Sequence, residues 1–507
     1  MKRSGTLAAA CAAVLLLAAF SGCSPSQPEE SAPSVPESSA EESVSEADRT
    51  LSLCCNAEDT FDPFLTASRV NLDLTSLLYE GLTRVDSTMT ASPALAASVQ
   101  AADKAVTAVL RADARFSDGS AVTAADVVRS FNLAKRSAHY AVLLQNVRSA
   151  AAAADGKSVT FTLTAADIGY AACLSFPVVK SGTSTAKAGA APIGSGRYRL
   201  VGAERLDQNP HSPDKANVVP IRLVSVSDSS AAVHALENGT LTYLFSDLYG
   251  GSIPHTTAAS VSVDIPYLIF LGINASRTAL QKPAVRQALS SAVDRKLLAS
   301  DGCGGYAREA TAPFHPLAAY MQAEGLPLLT SEADAEAAKE LLSAAGFSTG
   351  LSTDKAGAKP LLLTLLVNAD NPFRVRSAAL IKVQAAAAGI TVTVDEKPYA
   401  DYLKAVKAKK FDLYLGEVRI PADGSLHSFF STGGGTAYGI RSDAKTAYTA
   451  YRAGKMTLAQ FLADFNKELP FIPLNWQKGM AAFKRSCRQI TPGLLDPYDG
   501  VETWKTY

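Results

Sequence analysis

The sequence predicts an α/β protein of two or three lobes, with a strand-rich front half and a doubly wound rear lobe. Three observations carry that reading. A β-α-β-α-β run lies between Leu361 and Val418, alternating strand patterns occupy the front half, and the body from about Arg49 to Tyr507 is too long for one core.

In the rear run, "LLLTLLVN" (361–368) reads as a buried strand and "NPFRVRSAALIKVQAAAAG" (371–389) as a helix, with Pro372 in its first turn and Gly389 as its stop. "ITVTVDEK" (390–397) alternates like a strand, Tyr399 to Lys410 reads as a short amphipathic helix, and "FDLYLGEV" (411–418) as a third strand. Such short connections make a mostly parallel sheet, and ligands bind those sheets outside the carboxyl ends of the strands. Glu417 and Arg419 fall at that end, before a Pro/Gly turn holding Asp423. Upstream, "PAVRQALSSAVDRKLLAS" (283–300) places apolar residues at helical spacing, and "DAEAAKELLSAAG" (334–346) closes a second helix on Gly346. In the front half, "AVTAVLRADARF" (105–116) and "SVTFTL" (158–163) alternate after charged turns.

The amino-terminal end bears on the compartment. Lys2 and Arg3 precede a small or apolar run from Leu7 to Phe20, too short to span a membrane and fit for a secretory signal over 1–22. Its close, Phe20-Ser21-Gly22-Cys23, resembles the lipobox of bacterial lipoproteins, in which Cys23 would be lipidated and anchor the chain to the bilayer. Residues 24–48 hold seven acidic side chains and no Lys or Arg, so 23–48 reads as a disordered Ser/Pro/Glu tether. Its mean span would be about 25–30 Å.

Charge is balanced, with 48 basic and 48 acidic residues, and removing Lys2 and Arg3 leaves 46 against 48. A nucleic-acid partner would want a basic face, so none is expected. The cysteines show no CxxC spacing, and neighbouring Cys54 and Cys55 would point to opposite sides of a strand and pack rather than bond each other. No GxSxG or HExxH occurs, and "GCGGYA" (302–307) follows a helix where a dinucleotide fingerprint would follow a strand. No catalytic residues, cofactor or metal are assigned, and enzyme is the least favoured class.

Several stretches together resemble the family 5 solute-binding proteins of ABC importers, which include oligopeptide-, dipeptide- and nickel-binding proteins. They are "FDPF" (61–64), "LLYEGL" (77–82), "FSDGSAVTAADVVRSF" (116–131), "PIGSGRYRL" (192–200), Asn209, "AVRQALSSAVDRKLL" (284–298), "AAKELLSAAGF" (337–347) and "LPFIPLNW" (469–476). The resemblance implies a two-lobed periplasmic-binding-protein-like fold, the Venus flytrap, with a small domain inserted in the first lobe. By analogy 49–90, 190–265 and 470–507 form lobe I, 91–189 the insert, and 268–469 lobe II. It also implies a monomer outside the cytoplasmic membrane that hands a small-molecule or peptide solute to permease and ATPase subunits. A surface receptor with the same fold, or a binder of a metal chelate, is the alternative.

The segment departs from the peptide binders at one point. Their ammonium-binding aspartate falls at Ile420 here, with Glu417 in the preceding tryptophan position. Arg419 is therefore the leading ligand residue, since a guanidinium at a cleft mouth suits a carboxylate, with a loop ion pair to Glu417 or Asp423 as the other reading. Glu417 binds a ligand amine or pairs with Arg419, and the anchor is either replaced by Asp423 after a shift in alignment or lost. Trp476 stacks on a ligand or fills the core. Tyr79, Phe429 and Tyr438 complete the candidates, and His427 reads as structural.

Overall fold

The structure, a computed structural model, describes residues 50–507 apart from 219, 432–434, 437–439 and 441–442. The segment ending in Cys23, the tether over 23–48 and Tyr438 lie outside the described residues.

The rear run folds in the expected order. Strand Leu361–Asn368 leads through helix Pro372–Ala387 to strand Ile390–Lys397, and helix Tyr399–Lys407 leads to the rim strand, Leu413–Arg419. Leu361–Asn368 pairs in parallel with both other strands. These three are one end of a seven-stranded sheet whose remainder is antiparallel, so the sheet is mixed. The extra strands come from residues distant in sequence, which is why the local pattern showed only the parallel part.

Two long strands organise that sheet. The first crossing strand, Ala259–Ile273, pairs antiparallel with the second, Phe471–Phe483, and with the rim strand on its other side. Their register shifts between Asp264 and Tyr267, at Pro266, and again beside Pro473. Proline lacks the ladder N–H, so each shift falls where a regular pairing cannot continue.

The hydrophobic residues form three cores. The first, around Leu51, Leu74, Phe131, Phe161 and Tyr198, joins the sheet built on Leu51–Cys55 to the four-stranded sheet that contains Ala105–Leu110 and Ser158–Leu163. The other two cover opposite faces of the seven-stranded sheet, with Leu363, Leu365, Leu413 and Leu415 on one and Leu366, Phe270 and Tyr414 on the other. The crossing strands reach all three, since Val263 and Ala481 sit in the first core while Ile472 and Phe471 sit in the second and third.

Local readings agree with this build in several places. Thr123 caps helix Ala124–Ala134 in a capping box completed by Asp126. Cys54 and Cys55 point into different cores, and all five described cysteines are free thiols. Elsewhere the sequence pattern overran. The 283–300 helix breaks after Ser291, and Asp294 caps a new turn by accepting a hydrogen bond from the Leu297 amide at 2.8 Å. The break lets the buried Arg295 guanidinium donate to the carbonyls of Pro473 (2.9 Å) and Thr330 (3.0 Å) and to the Ser290 hydroxyl (2.8 Å). The strand expected over 105–116 ends at Leu110.

Candidate functional site

The charged part of the cleft is built from one helix, the end of one strand and the loop that holds Asp496 and Asp499. The cleft helix, Arg69–Leu78, starts where Ser68 caps it by accepting from the Asn71 amide. Asp59 fixes the approach, its Oδ2 accepting from the amides of Ala67 (2.8 Å) and Ser68 (2.7 Å). Leu74, Leu77 and Leu78 bury the helix in the first core, which turns Arg69, Asp73 and Ser76 toward a cavity of about 280 Å³. Arg419 and Pro421 close the far side, and Asp496 and Asp499 line the floor. A roomier hollow of about 530 Å³ beside Gly189–Gly194 is lined mainly by small residues, with Asp118, Lys187 and Arg199 as its charged ones.

Arg419 is an unmatched cation at the cleft among the described residues. Solvent reaches its side chain, yet no described residue makes a hydrogen bond or ion pair to its guanidinium. Desolvation, and then the neighbouring Arg69, holds its pKa below the usual arginine value. A guanidinium with no ion-pair partner and an open face is free to take an anion.

Around it the charges are engaged. Arg69 Nε lies 3.1 Å from Asp73 Oδ1 and 3.8 Å from Asp247 Oδ2, and its Nη1 donates to the Tyr267 hydroxyl at 3.0 Å. Tyr267 is the cross-strand partner of Arg419, so the two side chains share one face of the sheet. Burial pushes the Asp73 carboxyl up to about 6, against the pull of Arg69 and Arg419. Asp496 accepts from the Ser76 hydroxyl at 2.8 Å and from the Tyr498 amide at 2.9 Å, and burial raises its pKa as well.

The other sequence-predicted residues fall outside this group, except that Tyr79 borders it. Tyr79 sits at the cavity wall, but its hydroxyl donates to the Phe61 carbonyl at 3.1 Å. A Cβ at Gly194 or Gly196 would strike the Leu78–Tyr79 backbone, so the "GSG" turn is there to let that segment pass. Glu417 does not pair with Arg419. It accepts from Arg374 Nη2, whose other partner is Gln477 Oε1 at 2.7 Å. The pair lies by a smaller cavity of about 120 Å³ among Tyr249, Tyr399, Tyr402 and Tyr414. Trp476 is fully buried in the third core with its ring 4.7 Å from that of His315, and Phe429 stacks on Phe471 at 3.8 Å.

Asp423 belongs to a buried ion network. Its Oδ2 accepts from Arg452 Nη2 at 2.9 Å, its backbone carbonyl accepts from Arg452 Nη1 at 2.9 Å, and the same Nη2 lies 2.6 Å from Asp167 Oδ1. His427 Nε2 stands 3.9 Å from Asp167 Oδ2. Asp167, Asp423 and His427 are grouped as metal ligands would be, but the Arg452 guanidinium already fills the cationic place among them. Arg69 and Asp73 were missed in the sequence because an Arg-x-x-x-Asp pair in a helix reads as an ordinary surface ion pair.

The fold matches solved binding proteins along nearly its full length. The substrate-binding protein CtaP of an ABC transporter from Listeria monocytogenes superposes with a TM-score of 0.71 at 18% identity, covering 90% of this chain and 99% of that one. The architecture is thus that of a two-lobed periplasmic binding protein. The chain belongs to the bacterial extracellular solute-binding proteins, family 5, whose profile matches residues 90–437. Protein XP55 of Streptomyces lividans is 26% identical over 407 residues, 75% of this chain and 72% of its own length. The glutathione-binding protein GsiB of Escherichia coli (strain K12) is 25% identical over 322 residues, covering 58% of this chain and 60% of its own length. No helix among the described residues is long and apolar enough to cross a membrane.

Proposed function

We propose that this protein captures a small anionic solute, peptide or peptide-like, in the cleft and delivers it to the permease of an ABC importer, held at the membrane by a lipid on Cys23. The unpaired Arg419 guanidinium at the cavity carries this reading, with the solute's carboxylate as its missing partner. A relative named as a glutathione-binding protein supports a peptide-like solute. The lobes are 49–90, 190–265 and 470–507 against 268–469, with 91–189 inserted in the first. The crossing strands are the hinge between them.

Mass spectrometry of protein purified natively under mild conditions is expected to find a bound anionic solute. Added back at a hundred times its Kd, that solute should stabilise the protein by about 2.7 kcal/mol without being converted. Turnover without stabilisation would rule the binding role out.

Binding should also depend on pH through Asp73, which faces Arg69, Asp247, Arg419 and Asp496. A docked anion disfavours the ionised carboxyl and raises its pKa above about 6, so binding takes up a proton. Affinity therefore rises as pH falls from 7.5 to 5.5, by up to about tenfold for each unit of that rise. Calorimetry in buffers of different ionisation heat should detect the proton, and Asp73→Asn should flatten the profile.

A further inference from the structure

We infer that Arg69 is the second jaw of the anion site, and that the two guanidinia, carried by opposite lobes, make the bound anion itself the trigger for closure. The inference rests on the proposed reading of Arg419 as the solute's anchor.

Arg69 stands on a helix whose apolar side lies in the first core, whereas the rim strand that ends in Arg419 packs Leu413 and Leu415 in the second. Both side chains line the same cavity. Tyr267 brings them together, being bonded to Arg69 Nη1 and directly opposite Arg419 in the sheet. After desolvation, Arg69 is the group that most depresses the Arg419 pKa, as a nearby like charge does, with Tyr267 and Asp73 acting against it.

The two guanidinia are not equivalent. Arg69 uses Nε on Asp73 and Nη1 on Tyr267, and no described residue accepts from its Nη2. Its side chain keeps 38% of its surface exposed, so that edge is open to a ligand. An anion between the jaws can accept from Arg69 Nη2 and from Arg419 together, in the forked geometry that arginine favours for carboxylates.

This arrangement supplies the difference in affinity that ligand-driven closure requires. With the lobes apart, each guanidinium is hydrated and distant from the other. Bringing the lobes together without a ligand costs desolvation and like-charge repulsion. An anion touched by both jaws removes both costs only in the closed form, so it shifts the population toward closure. A neutral solute of the same shape would leave the repulsion in place.

The test uses the mature chain with Cys23→Ser, spin-labelled at Ala154→Cys and Lys382→Cys, both at exposed positions, since the five described native cysteines are buried. Pulsed electron resonance then reads the distance between the labels. Without added solute, Arg69→Gln is expected to shift the distribution toward the shorter, closed distance. Arg69→Lys, which keeps the charge, should behave as the parent does. An Arg69→Gln/Asp73→Asn double variant should close as Arg69→Gln does, which separates lost repulsion from a new Asp73–Arg419 pair. Sodium sulfate should close the parent more than sodium chloride of equal ionic strength, and that difference should vanish in Arg69→Gln. Identical ligand-free distributions for the parent and Arg69→Gln would overturn the inference while leaving Arg419 as anchor. An Arg419→Ala variant with unchanged solute affinity would instead overturn the anchor.

Discussion

Replacing Arg419 by alanine is expected to weaken binding of the native solute by about 2–4 kcal/mol, roughly 30- to 1,000-fold. The size follows from what each state loses. The solute's carboxylate would be desolvated on entering the cleft with the main charged donor gone, because Arg69 already spends Nε on Asp73 and Nη1 on Tyr267 and keeps only Nη2 to offer. The same substitution removes from the ligand-free protein a cation that has no ion-pair partner among the described residues and stands near the like charge of Arg69. Unfolding by urea without solute should therefore show Arg419→Ala at least as stable as the parent. Loss of affinity with gain of stability is the signature of a group kept for function. Loss of both would mark Arg419 as structural, and unchanged affinity would make it a solvated charge.

The second large effect is expected at Arg452. Its guanidinium pairs with Asp167 and Asp423, whose side chains are 1% and 0% exposed. Arg452→Ala leaves both carboxylates buried, within 4.8 Å of each other, and should cost about 3–5 kcal/mol in urea unfolding at pH 7. The pH dependence gives the cause. In the parent, burial pushes the Asp167 pKa up, but the nearby His427, the charge of Arg452 and the hydrogen bonds from the Gly169 amide and Asn146 outweigh it and hold the pKa below the ordinary value. That stabilisation is full above the ordinary carboxylate pKa and is lost as pH falls through the depressed one. In the variant the sign reverses, because neighbouring carboxylates hold on to a proton. The deficit should then shrink between pH 7 and pH 5. A loss below about 0.5 kcal/mol at both values would mean that the network holds nothing together.

The parallel part of the rear sheet was legible because each strand, helix and turn between Leu361 and Arg419 is encoded locally. Its antiparallel part was not, since the crossing strands come from 259–273 and 471–483 and pair across about two hundred residues. The same distinction divides the site. Arg419 could be placed at a strand's carboxyl end from the pattern alone. Which acid it would meet could not, because Glu417 found Arg374 on a helix and Asp423 found Arg452 beyond the next turn. Neighbours in sequence were the natural guess for ion pairs, and burial chose partners from other elements. Trp476 shows the same limit, because an indole looks alike in a core and at a ligand until its surroundings are known.

Pro266 has one more consequence. Its carbonyl accepts the amide of Ile420 at 2.7 Å, so the residue after Arg419 is pinned to the very place where the crossing strands lose register. In mechanical terms the hinge proposed above would be a flexure, a strip that bends along its length, with Arg419 mounted beside the bend. On that proposal, turning one lobe against the other would also re-aim Arg419, and shutting the cleft and pointing its charge would be a single motion.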